Sequence, residues 1–161
     1  MTVAACQWHE PGGLAAAEAI AAFLDSAGIA VEVTPLTGQR FLPALAVDCG
    51  TIQIEPGGSA YPGDLLHEAG HVAVMTPERR NTPGEVGADP ADEMAAIAWS
   101  AAAARACGVP LDVVFHGAGY KGGGDGMAEA FADNRGPGVP MLDWYGMTAP
   151  TGFPAMARWL R

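Results

Sequence analysis

His67-Glu68-Ala69-Gly70-His71 places two imidazoles four residues apart, with a carboxylate beside the first. On an α-helix, residues i and i+4 stand one turn above each other, so both rings can share one metal ion. Glu68 lies about 100° round the helix from His67, near enough to reach a metal-bound water without being a ligand itself. A general base in metal-assisted hydrolysis needs that position. Leu65, Leu66, Ala69, Val72 and Ala73 fall on the side away from the two histidines. Asp64–Met75 therefore reads as a helix that docks on a core by one face and offers ligands from the other.

The flanking residues mark out this helix and its neighbours. Pro62-Gly63-Asp64 opens it, with Asp64 as the expected N-cap, and Pro77 ends it. Upstream, Met1–Gln7 is weakly β-like. Leu14, Ala17, Ile20, Ala21 and Leu24 give a helix over Leu14–Ala27, with Gly28 just beyond its end. Ile29–Leu36, Leu42–Val47 and Thr51–Glu55 read as strands, and Thr51-Ile52-Gln53-Ile54 alternates as a strand with one wet face does. Thr37–Arg40 is a turn, and His9 near the terminus reads as solvated. Glu78–Ala88 reads as a polar loop.

Asp89-Pro90-Ala91-Asp92-Glu93 is a second helix start, with Asp at the N-cap, Pro at the first turn and acids following. That helix runs to about Cys107, where Gly108 and Pro110 stop it. Its interior is apolar almost all round and mostly alanine, which suits burial against other backbone, with Trp99 as the large packing residue. Glu93 shares its side with Ala96, Ile97, Ser100 and Ala104. Two readings follow for it: a metal ligand in a small, apolar setting, or a first-turn acid that favours the helix dipole.

An HExxH on one helix followed by a Glu on the next resembles the gluzincin class of zinc metallopeptidases. The alanine-rich helix after the Glu is similar to that of the small bacterial ImmA/IrrE-type metallopeptidases. The resemblance covers roughly Thr51 to Cys107. It implies a small zincin-like α+β fold, with a short mixed sheet packed on the HExxH helix and the Ala-rich helix. It also implies a Zn²⁺ held by His67, His71 and Glu93, with Glu68 as base. The Glu-x-x-Asp context of the gluzincin third ligand reads Glu93-Met94-Ala95-Ala96 here, and Asp92, Glu85 and His116 stand as alternative third ligands.

Leu111–Phe115 is a short apolar run, followed by a glycine-rich stretch from His116 to Gly126. Its Lys121 is not followed by Ser or Thr, so it is no phosphate loop of the Walker kind. His116 and Tyr120 are residues with which a zinc hydrolase polarises a carbonyl, or else structural members of a turn. Met127–Arg135 reads as a short helix. The tail, with Trp144, Tyr145, Phe153 and Trp159, reads as a wrapping segment that covers core or forms a homodimer contact.

A chain of 161 residues without repeats or linkers is expected to form one domain over 1–161. A net charge of −10 argues against nucleic acid or an anionic membrane as partner, and no segment reads as a membrane span. Met1–Gly13 lacks the pattern of a signal peptide. Three widely spaced cysteines do not form a disulfide framework, and a cytoplasmic setting is expected. Cys49 reads as a small buried hydrophobe. The leading expectation is a zinc-dependent hydrolase acting on a peptide or protein substrate. The alternatives are a small-molecule amide hydrolase, or a metal-binding structural module whose fourth ligand, Cys49 or His116, closes the site.

Overall fold

The computed structural model describes residues 2–38, 42–84, 89–119 and 123–161. The first helix, α1, spans Gly13–Ala27 and buries Ala17, Ile20 and Leu24 of the expected stripe, with Ala16 beside them; Ala21 is half-buried, and Leu14, in the first turn, is exposed. Gly28 ends it in the left-handed conformation. Before it, Val3–Ala5 forms a 3₁₀ turn where extended chain was expected, and strand β1 is only Gln7–Trp8.

The strands are shorter than their apolar runs. They are β2 (Val31–Val33), β3 (Leu45–Asp48), β4 (Thr51–Ile54) and β5 (Ser59–Ala60). In the three-stranded sheet β4 is central, parallel to β2 with Val31 opposite Ile52, and antiparallel to β3 with Leu45 opposite Ile54. β1 and β5 make a separate two-stranded parallel pair. Ile52 and Ile54 point into the core and Thr51 and Gln53 stay half-exposed, the alternation expected of β4. Cys49 is exposed, not buried: it sits in the β3–β4 turn with φ of 47°, which points its side chain away from the core.

The HExxH helix, α2, spans Pro62–Val74. Asp64 is not its N-cap. Tyr61 holds that place, because Pro62 supplies a fixed φ and no donor at the first helical position, and the helix starts there. Pro77 does not merely end a helix. It begins a four-residue one, α3 (Pro77–Arg80), capped by Thr76, where a loop was expected. The Ala-rich helix α4 spans Pro90–Cys107, with the Asp89 side chain accepting from the Ala91 amide at 2.8 Å and Gly108 left-handed beyond its end. α5 (Leu111–Val114), α6 (Gly124–Ala132) and α7 (Val139–Trp144) complete the α+β architecture. The short helix expected over Met127–Arg135 thus begins and ends earlier, at the backbone of Gly124 and Ala132.

α2 packs most extensively on α4, and also meets α1, α5, β3 and β4. One buried apolar cluster runs from Val3 to Met147 through all of these. Trp99 of α4 is fully buried. It lies 5.7 Å from the Trp159 ring and 6.1 Å from Phe23, and its Nε1 donates to the Trp159 carbonyl at 3.1 Å. The tail thus covers core, while Trp144 on α7 is 83% exposed. Among the described residues no helix is long and apolar enough to cross a membrane.

Candidate metal centre

The closeness of α2 and α4 starts with small residues. A Cβ built on Gly70 would stand 2.6 Å from the Ala96 carbonyl oxygen, so the two backbones touch where Gly70 meets Ala96. Ser100 tightens the same crossing: its hydroxyl donates to the Ala96 carbonyl at 2.7 Å and lies 3.4 Å from that of Leu66. Glu93 stands one turn before Ala96, and His71 directly follows Gly70. The crossing therefore carries the carboxylate onto the two imidazoles.

His67, His71 and Glu93 form a group whose ligand atoms all lie within 4.8 Å of one another, and which can hold a metal ion. The two Nε2 atoms are 3.1 Å apart. Glu93 Oε1 is 3.3 Å from His67 Nε2, and Oε2 is 3.0 Å from His71 Nε2. Donors about 2.0–2.1 Å from a tetrahedral ion are roughly 3.3 Å apart, so the residues present fit such an ion after small adjustments. The site opens toward solvent through Glu93, whose side chain is 44% exposed, whereas His71 is buried.

The electrostatics follow from the same contacts. Hydrogen bonds from His67 and then His71 hold the Glu93 carboxyl far below the usual carboxylate range, against the opposing pull of burial. Burial pushes the His71 imidazole down, but its bond to Glu93 and the charges of Glu68, Glu93 and Asp92 outweigh this, leaving it raised. Glu68 is raised chiefly by burial. His71 and His67 pull it down in part, and Asp64 and Glu93 push it up. A half-buried carboxyl beside the triad but not a member of it, with its proton affinity raised, is suited to accept and return a proton.

The alternative ligands are held elsewhere. Asp92, 3% exposed, accepts from Arg79 Nη1 at 2.5 Å and from the Tyr145 hydroxyl at 3.0 Å. It ties the first turn of α4 to α3 and α7, next door to Glu93. His116 is also buried. Its Nε2 lies 2.8 Å from Asp64 Oδ1, and its ring stacks on Tyr61 with centroids 4.1 Å apart. Tyr120 and Glu85 lie outside the described residues. Cys49 is not among the grouped ligands, and no fourth Cys, His, Asp or Glu joins the triad among the described residues.

Two supports carried no signal in local sequence. The end of α2 is closed by Arg80, which donates to the Val72 and Met75 carbonyls at 3.1 and 2.9 Å, and by Arg161, whose amide donates to the Ala73 carbonyl at 2.9 Å. The Asp92–Arg79–Tyr145 anchor likewise joins three separate helices.

No family model matches this chain, and neither a curated protein nor a solved structure is significantly similar to it. The metal-ligating group, and not a relationship, is what the chain offers as a guide to function.

Proposed function

We propose that the protein is a zinc-dependent hydrolase of amide bonds, most simply a peptidase. The observation that carries this reading is the group of two imidazoles and one partly exposed carboxylate with a half-buried Glu68 beside it, whose carboxyl is raised above its usual range. Zn²⁺ held by His67, His71 and Glu93 would supply Lewis acidity and a bound water of lowered pKa. The residues of this chain would do the rest. His67 and His71 would offer their Nε2 atoms from consecutive turns of one helix. Glu93 lends negative charge while leaving a direction open to solvent. Glu68, raised by burial, takes a proton from the attacking water and returns it to the leaving nitrogen.

Three ligands among the described residues, one of them 44% exposed, also favour catalysis over a closed structural site. The test is Glu68→Gln. It should retain about one zinc per chain and lower turnover of a peptide substrate by roughly 10²–10⁴-fold, the usual worth of a general base. A variant with full zinc and wild-type turnover would remove Glu68 from the mechanism.

A further inference from the structure

A pocket lies at the start of α2, one turn before the candidate centre, and no step assigned above uses it. It has a volume of about 240 Å³. Leu42, Ala44 and Leu45 give it an aliphatic side, His9 and Ser59, bonded to each other, a polar one, and Tyr61, Asp64 and His116 close its end. Asp64 lies on α2 three residues before His67, on the same helical face, so this polar end sits roughly 5 Å along the helix axis from the first candidate ligand.

The charge of that end is set by a tautomer. His116 is 3% exposed, and its Nδ1 is buried with no hydrogen-bond partner among the described residues. A buried N–H without an acceptor costs about 1–3 kcal/mol, and an imidazolium would carry one there. The arrangement that avoids this puts the single ring proton on Nε2, donated to Asp64 Oδ1 at 2.8 Å, with Nδ1 bare. The Asp64 side chain remains 23% exposed at the pocket. A pocket with an aliphatic side and a partly exposed carboxylate at its end fits a chain with an apolar stem and a cationic tip. The net charge of −10 favours the same sign of ligand.

We infer that this pocket binds a lysine or arginine side chain of the substrate, with Asp64 as the specificity-determining residue and His116 as its positioning partner. The placement beside the scissile bond rests on the hydrolase reading above; the cation preference of the pocket does not. The test uses zinc-loaded protein and paired peptides that differ at single positions: arginine against citrulline, lysine against norleucine. At one position flanking the cleaved bond the cationic member should be favoured at least tenfold in kcat/KM. Asp64→Asn, which keeps an acceptor for His116, should erase that preference while zinc content stays at one per chain. A profile indifferent to charge, or one that Asp64→Asn leaves intact, overturns the inference. If zinc is bound but no peptide is cleaved, the hydrolase reading fails and butylguanidinium tests the pocket directly by amide chemical shifts. Saturable shifts at Tyr61, Asp64 and Gly119, absent in Asp64→Asn, uphold the cation site; no shifts there refute it.

Discussion

Gly70→Ala tests the crossing that brings the ligands together. On a free helix the change is stabilising by about 0.8–1 kcal/mol, because alanine loses less backbone entropy than glycine. Here the new Cβ would be 2.6 Å from the Ala96 oxygen, 3.2 Å from its carbonyl carbon and 3.2 Å from its Cα. These are backbone atoms of a buried helix and cannot swing away. Restoring ordinary contact requires α2 and α4 to part by roughly 0.7 Å, and overpacking of this kind costs about 1–3 kcal/mol. Overpacking wins, with a net loss of about 1 kcal/mol in urea denaturation of the metal-free protein. Zinc binding should suffer more visibly, since the displaced residue is next to His71 and metal sites tolerate errors of only about 0.5 Å. A zinc competition titration should show at least a tenfold weaker affinity. Gly126→Ala in α6, where a Cβ meets nothing within 4 Å, is the control and should gain up to about 1 kcal/mol. If Gly70→Ala instead gained stability like the control and bound zinc as wild type does, the close α2–α4 contact would be wrong.

Asp92→Ala should cost about 2 kcal/mol in denaturant melts, because it removes the acceptor of both Arg79 and the Tyr145 hydroxyl while the exposed guanidinium can rehydrate, whereas Tyr145→Phe removes one hydrogen bond and should cost about 1 kcal/mol. The pH dependence should have opposite signs with and without metal. His71 is raised in the folded, metal-free protein, so its contribution is full below about pH 6.5 and is lost as pH rises through the raised value. Glu93 is depressed, so its contribution is present above about pH 4.5 and is lost as pH falls toward the depressed value. Thermal melts of metal-free protein should therefore peak between about pH 5 and 6.5. Zinc must displace the proton from His71, so zinc affinity by competition titration should fall about tenfold per unit as pH drops below the raised value. A zinc affinity flat from pH 8 to 5.5 would contradict this.

How much of this was legible in the chain depends on how local each signal is. The HExxH helix announced itself because both its ligand spacing and its apolar stripe are properties of one segment. The start of α4 was equally plain, since Asp89 and Pro90 act on their own helix. Glu93 was legible as a candidate from its small-residue face, but its meeting with His67 and His71 depends on Gly70 against Ala96, a contact between helices. Asp64 was misread as an N-cap because Asp is a strong capping residue; Pro62 two residues earlier had already fixed the helix start, which freed Asp64 to bond His116. β1 and β5 are two residues each and too short to show any period. α3 escaped notice because four residues with two arginines look like loop until Thr76 caps them. Asp92 was weighed as a ligand, and its partners on α3 and after α7 are visible only in the folded chain.

The most direct test of the central claim is zinc content by elemental analysis, on protein offered zinc and dialysed, wild type beside Glu93→Ala. About one zinc per chain in the wild type, and little in the variant, is the result the triad predicts. Absence of zinc from the wild type, or full retention in Glu93→Ala, would contradict it.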